Sequence, residues 1–470
     1  MKGFEKFRLW LRRHCLDTDV PAVAAAEAGP VPETAEPAVQ AEAPASEEGA
    51  ENSVKPEKKE RILSIDRFRG LCILGMVCQF IMPLFASLAP LAPIFEHDAD
   101  GFQVLPGVSF ADLFAAMFIF VVGLTMVRSF QSRAAKYGTG RAYFQLAVRF
   151  LALIGLGAAL DGFEMGWIYV FTTDGGSYSA TIRDNVKPFA IEFWIVVGLA
   201  VLALLLYICR LKKLSGYTGS LLKYVLAAYG VYLFFMLLVY TAEYIGHGQY
   251  DPIPSEGYMF GFKKPIWATL ENIGLAGLLS LPFVRLGKWE RLTVVGVSYA
   301  VMTVLMQNGL YPVAKILIEG GLIGGVGWAG VLLLGTFFAD MKDDKRYWIF
   351  SCIFLLISIV CSVSFGWIAA KRGGTPVYGL FCASIASMIW GGLNFLNGWK
   401  PKFDFFAIWG SNAILMYVVV TFVKLLLAFY AETALAKMSV AVALLITLAF
   451  LAAFTLCNWV MRRKKVYIKI

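Results

Sequence analysis

The sequence predicts an all-α integral membrane protein that crosses the bilayer about twelve times, with both termini on the cytoplasmic side. Hydrophobic residues make up 59% of the 470 residues and charged residues only 16%, which excludes an ordinary soluble globular protein. Apolar runs of about 20 residues recur along the chain, and a helix of that length spans a hydrocarbon core of roughly 30 Å. Loops after the even-numbered runs, with the C-terminal tail, hold 21 Lys and Arg, against 8 in loops after the odd-numbered runs. Because basic loops stay in the cytoplasm, both termini are expected there.

Residues 1–60 are expected to form a cytoplasmic tail ahead of a transmembrane domain at 61–470. Residues 1–19 combine basic and aromatic side chains, which is typical of an amphipathic helix lying on an anionic membrane surface. Residues 20–53 are rich in Ala, Glu and Pro and contain no Lys or Arg. Such a segment cannot bury enough apolar surface to fold, so a disordered linker is predicted.

The predicted spans, the net charge and the cysteines all fit this class. The spans are expected near 69–92, 108–128, 143–161, 189–209, 221–242, 265–284, 292–311, 321–339, 347–370, 377–397, 404–430 and 438–460. The charge of +9 lies mostly in loops, which indicates topology rather than binding to nucleic acid. Seven of the eight cysteines fall in or beside apolar runs and none has a metal-ligand spacing, so no metal site is predicted.

The first span opens with "SIDRFRGLCILGMV" at 64–77. Ser64 fits a helix N-cap, and Asp66 in the first turn suits the helix dipole. Arg67 and Arg69 have two interpretations. They are either positive anchors at the inner membrane face or guanidinium groups that bind the phosphates of a cytoplasmic ligand.

The loop after the first span carries His97, one of only three histidines in the chain with His14 and His247. The charge asymmetry places this loop outside the cytoplasm. Ser109 and Asp112, in "SFAD", fit the pattern of a helix capping box. A carboxylate at the start of a span is also a candidate functional group, and it is a suitable partner to orient an imidazole. Both roles remain open for Asp112.

Several other polar residues fall inside predicted spans. Amides there often join helices, whereas Lys424 lies in a long apolar run and should meet an acid or a wet cavity. The Gly-rich segment at 319–330 allows close helix approach and contains no phosphate-loop pattern. The polar residues are Glu192, Glu271, Asn272, Gln307, Asn308, Asn394, Asn397, Asn412 and Lys424.

Five segments together resemble the heparan-α-glucosaminide N-acetyltransferase family of transmembrane acyltransferases, including its bacterial relatives. The resemblance is spread over most of 61–470. In chain order the segments are "SIDRFRGLCILGMV", "HDADGFQVLPGVSFADLFAAMFIFVVG", "EGGLIGGVGWAGVLLLG", "GSNAILMYV" and "RRKKVYIKI".

This resemblance implies an enzyme that takes an acetyl group from cytoplasmic acetyl-CoA and passes it to an extracytoplasmic sugar or amino sugar. It places His97 at the family's active-site histidine, Asp112 at the acid of the second span and Asn412 on a Gly-x-Asn segment. Arg67, Arg69 and Asn412 are then the candidate donor-binding residues. A bacterial plasma membrane is the expected location, and a homodimer is left open.

The alternative function is a transporter or flippase of a glycan or similar polar solute without acyltransferase activity. Twelve spans with both ends inside also suit that class. A transporter would place its polar residues at the membrane midplane between internal repeats, whereas the cluster around His97 is predicted at the outer mouth and no repeat is evident.

Overall fold

The structure is a computed structural model, and it describes most of the chain after residue 61. The predicted tail at 1–60 and nearly all of the predicted span at 189–209 lie outside the described residues. Those residues are 62–97, 101–171, 198–199, 202, 212–247, 258–259, 262–263, 267–314, 319–399, 401, 403–435, 437–464 and 466.

The described chain is almost entirely helical, as predicted. Helices α1 to α6 are Leu63–Ile81, Leu113–Tyr137, Thr139–Phe171, Lys212–His247, Thr269–Ser280 and Lys288–Leu305. Helices α7 to α12 are Gly321–Met341, Tyr347–Ile359, Pro376–Phe395, Phe405–Gly410, Ala413–Leu435 and Val440–Arg463. Among the described residues, short strands form two antiparallel pairs: β1 Gln103–Leu105 with β2 Val108–Ser109, and β3 Tyr258–Met259 with β4 Phe262–Lys263.

Nine helices in the described part of the chain are long and apolar enough to cross a membrane. The class of integral membrane protein is therefore confirmed, whereas the count of twelve spans is not. The predicted span at 265–284 contains α5, which has only 12 residues and is about 18 Å long at 1.5 Å per residue. The predicted span at 404–430 is divided into α10 and α11 by a break at Ser411 and Asn412.

The predicted second span begins later than expected because a β-hairpin precedes it. Gly107 adopts a φ of 82°, a left-handed conformation that favours glycine, and it turns the chain between β1 and β2. The hairpin pairs Gln103 with Ser109 and Leu105 with Val108. The chain then enters α2 directly after Asp112, so the hairpin fixes the position of that carboxylate.

Helix α1 packs against α2 and the short helix α10. The contact with α10 is made by backbone against backbone at Gly70 and Gly410. A Cβ atom on Gly70 would overlap the carbonyl oxygen of Phe406, and one on Gly410 would overlap that of Asp66. Only glycine permits this separation of the two helices.

Helix α7 packs against α2, α5 and α6. Its first turns lie against the loop that precedes α9, because Gly327 has no side chain to collide with the carbonyl oxygen of Gly374. This contact brings Glu319, just before α7, beside Lys371 of that loop. The Gly-rich segment thus permits close approach, as predicted, here between a helix and a loop.

Candidate active site

His97 and Asp112 form a direct side-chain contact. His97 Nδ1 lies 2.7 Å from Asp112 Oδ1. The other carboxylate oxygen, Oδ2, accepts hydrogen bonds from the backbone N–H of Ser109 at 2.9 Å and its hydroxyl at 2.8 Å. The Asp112 side chain is fully buried, whereas that of His97 is 41% exposed. Asp112 therefore holds the Ser109 turn and the imidazole at once, which unites the two roles considered for it.

The surroundings of Asp112 define the tautomer of His97. Burial raises the pKa of the carboxyl, but the hydrogen bond from His97, the positive charge of Lys371 and the hydrogen bonds from Ser109 together lower it below its usual value. Asp112 is thus ionised at neutral pH and only accepts hydrogen bonds. His97 Nδ1 must then carry a hydrogen, so the tautomer of the uncharged imidazole is the one whose basic atom is Nε2. Nε2 makes no hydrogen bond to any described residue.

His97 lines a cavity of about 280 Å³ among α1, α2, α3, α5 and α11. Four other ionisable residues reach the same cavity. Aromatic and polar neighbours complete the wall, among them Gln79, whose amide donates to the carbonyl oxygen of Ala111. The ionisable residues are Glu271, Glu319, Lys371 and Lys424.

Two of these charges pair with each other across the cavity wall. Glu319 Oε1 lies 2.9 Å from Lys371 Nζ, and both side chains are largely buried, at 4% and 12% exposure. Hydrogen bonds fix the backbone of Glu319, because its carbonyl oxygen accepts from Trp328 Nε1 at 2.9 Å and from Asn272 Nδ2 at 3.2 Å. Tyr378 packs edge-on against Trp328 and donates to the carbonyl oxygen of Asp112 at 2.7 Å. One network therefore joins this ion pair to the His97 site.

The other two charges, Glu271 and Lys424, come from α5 and α11. Glu271 is 1% exposed, and its carboxyl group lies against Gly157 of α3, where a Cβ atom would overlap it. Lys424 is half-buried, and its Nζ lies 5.4 Å from the centroid of the Phe80 ring. Lys424 thus lines a cavity that has several polar residues in its wall, and its Nζ forms no ion pair with a described residue.

The candidate donor-binding residues lie toward the predicted cytoplasmic end of the helices. Arg67 is 2% exposed and binds Asp404 through its Nε at 2.7 Å, with further hydrogen bonds to the carbonyl oxygens of Leu396 and Trp399. Asn412 donates to the carbonyl oxygen of Val466 at 3.2 Å. The contacts of Arg67 favour its anchoring role, because all three of its guanidinium nitrogens already donate to protein acceptors.

Arg69 differs from Arg67 because it belongs to a group of like charges. Its side chain is 28% exposed, and its Nη1 lies 3.8 Å from Asp66 Oδ1. Arg149 of α3 is within electrostatic range of both Arg69 and Arg133 of α2. Its buried Nε has no hydrogen-bond partner among the described residues, whereas Arg133 donates to Gln145 at 2.8 Å. Arg149 thus lies near two other guanidinium groups, and an anion shared by the three would offset this like-charge repulsion.

Sequence reasoning identified the His97–Asp112 pair but not the whole group around it. Glu319 and Lys371 lie in loops. In the sequence, Glu319 belongs to the Gly-rich segment, and Lys371 is one of the loop cations from which the topology is predicted. Arg133 and Arg149 lie 16 residues apart on different helices, with no common motif. Charged side chains within predicted spans were the available indication, and they included Glu271 and Lys424 but neither Glu319 nor Lys371.

No family model matches the chain, and no curated protein matches it. Among the described residues, no group of three His, Cys, Asp or Glu side chains is arranged to hold a metal ion.

Proposed function

We propose that the protein is a membrane-bound acyltransferase that moves an acetyl or similar acyl group from cytoplasmic acyl-CoA to an extracytoplasmic sugar or amino sugar. The observation that supports this best is the His97–Asp112 pair at the wall of a polar cavity within a helical membrane protein. An imidazole whose Nδ1–H is held by a carboxylate presents Nε2 as its basic atom, which suits nucleophilic or general-base chemistry.

Two chemical routes use the same Nε2 atom. In the first, Nε2 attacks the thioester carbonyl, the carbon–sulfur bond breaks, and CoA leaves as a thiolate. The acyl-imidazole then transfers its acyl group to the acceptor nitrogen or oxygen, which loses a proton. In the second, Nε2 removes that proton while the acceptor attacks the thioester directly. In both routes Asp112 holds the ring and stabilises the positive charge that forms on it.

The donor's phosphates suit the arginine group of Arg69, Arg133 and Arg149. CoA is anionic and large, so its nucleotide part would stay at the predicted cytoplasmic end while its pantetheine arm enters the protein. Arg69 and the cavity residue Gln79 both lie on α1, ten residues or about 15 Å apart along the helix. The arm is long enough to cover that distance.

A transporter or flippase is the second candidate, and the break between α10 and α11 favours it, because discontinuous helices bind substrates in many transporters. This break, however, contacts the C-terminal segment through Asn412 and Val466. It lies twelve residues, or about 18 Å of helix, from Lys424 in the cavity. The break and the cavity are thus separate features, which makes the acyltransferase the better-supported proposal.

The deciding experiment is acetyl transfer from acetyl-CoA to a panel of amino sugars, with purified protein in detergent. We expect His97→Ala to fold normally and to lose about 10²-fold or more in turnover, the usual scale for acid–base help. The matched control is His247→Ala, which removes a histidine predicted to lie in a different outer loop and should change turnover little. A folded His97→Ala protein with wild-type turnover would contradict the proposal. Stabilisation of the protein by CoA would separately disfavour a sugar transporter.

A further inference from the structure

The cavity around His97 contains one cation whose charge no described carboxylate balances by direct contact. Glu319 and Lys371 form an ion pair at 2.9 Å. Lys424 forms no ion pair with a described residue and rests instead beside the ring of Phe80. A charged side chain within a membrane-spanning helix is costly and normally meets a partner or water.

Aromatic and hydroxyl groups surround Lys424 on the same face of α11. Tyr417, Thr421 and Lys424 follow a spacing of four and three residues, so they lie on one side of the helix, and all three line the cavity. The Tyr417 ring lies 5.7 Å from that of Phe80. The cavity therefore offers an ammonium group beside two aromatic rings, a combination that suits a sugar ring bearing a negative group.

We infer that the acyl acceptor carries an anionic group, a carboxylate or a phosphate, that pairs with Lys424. This inference rests on the proposed acyl transfer and adds the chemical class of the acceptor. The sugar ring would lie against Phe80 and Tyr417, its anionic group would face Lys424, and its amine or hydroxyl would face His97. The fixed Glu319–Lys371 pair would stay intact, because its charges already satisfy each other.

Binding measured without an acyl donor tests the inference directly. Isothermal titration of the purified protein would compare muramic acid and glucosamine 6-phosphate with glucosamine. We expect each anionic sugar to bind at least about tenfold more tightly than glucosamine, as a charge-assisted contact would give. The preference should disappear in Lys424→Gln and persist in part in Lys424→Arg. The control Lys437→Gln removes an exposed lysine two residues beyond the end of α11 and should leave the preference unchanged.

Several results would overturn the inference. One is equal binding of the three sugars to the wild-type protein, which would decide the matter even if Lys424→Gln fails to fold. Another is a preference that survives in a folded Lys424→Gln protein. A third is loss of acetyl-CoA binding in Lys424→Gln without any change in sugar binding, because the anion would then belong to the donor.

The two proposals fail in different assays. Acetyl transfer that depends on His97 but is equally fast to anionic and neutral sugars would support the acyltransferase and contradict the inference of an anionic acceptor. Selective binding of anionic sugars that depends on Lys424, with no acetyl transfer to any sugar tested, would contradict the acyltransferase proposal. It would support an anion-binding site that does not serve acyl transfer.

Discussion

Asp112 is the residue on which the geometry of the candidate site depends most. Its carboxylate accepts hydrogen bonds from His97 and twice from Ser109, and its backbone carbonyl accepts from Tyr378. Because its pKa lies below the usual value, the carboxylate is present above about pH 4 and is lost only as the pH falls below that. Its contribution to stability follows the same course, so its titration leaves pH 5 to 8 unaffected.

Asp112→Asn should therefore impair catalysis through the tautomer of His97. An amide can donate to Nδ1 as well as accept from it, so the ring would no longer be forced to present a basic Nε2. We expect turnover to fall by about 10²-fold or more while the affinity for acetyl-CoA changes little. Steady-state kinetics of the purified variant would check this, with Ser109→Ala expected to cause a smaller loss. Equal turnover of wild type and a folded Asp112→Asn protein would exclude the carboxylate from catalysis.

Substitutions of Arg67 and Arg69 should have different effects, although the two residues are only two positions apart. The first should affect stability and the second donor binding. Arg67→Met leaves Asp404 buried without its cation, and breaking such a pair costs about 3–5 kcal/mol. We expect a clear loss of thermal stability, partly restored by adding Asp404→Leu.

Arg69→Gln should instead raise the KM for acetyl-CoA, and added salt should weaken donor binding to wild type more than to this variant. Melting curves with donor kinetics would separate the two roles, and an unchanged KM in Arg69→Gln would return Arg69 to the role of an anchor.

At the scale of elements, the contact between α1 and α10 depends on two glycines. A methyl group at residue 410 would overlap the carbonyl oxygen of Asp66, so Gly410→Ala must separate the helices. We expect a loss of about 1–3 kcal/mol or more, the range for overpacking, measured as a lower melting temperature in detergent. The control is Gly296→Ala on α6, where a Cβ atom meets nothing within 4 Å. Similar melting temperatures for the two variants would contradict the backbone contact.

The sequence predicts an element well when local composition determines it, and poorly when contacts between distant segments do. Apolar runs predict α7, α9 and α12 well, because their length and composition alone suit a bilayer. The division of the predicted run at 404–430 by Ser411 and Asn412 escapes this reasoning, since the apolar stretches on both sides of the break read as one run of suitable length. The site follows the same rule: His97 and Asp112 are close in the sequence, whereas Glu319 and Lys371 meet only because α7 folds against a distant loop.

At the scale of the whole molecule, the orientation in the membrane stays a prediction from the 21 basic residues against 8. Phe102 and Thr139 are exposed and lie at opposite ends of α2. In a background without the native cysteines, Phe102→Cys should react with a membrane-impermeant maleimide from outside the cell and Thr139→Cys only after lysis. Labelling of both positions from the same side would show that α2 does not cross the bilayer.

The backbone contact between Gly70 and Gly410 also limits how such a sequence can diverge. Two positions 340 residues apart must both keep the one residue that has no Cβ, whatever happens to their apolar neighbours. Among homologues with the same helix arrangement, glycine should persist at both positions while surrounding side chains exchange freely. Where one glycine is lost, the short helix that follows Asp404 should be displaced, and the other position should then accept residues other than glycine.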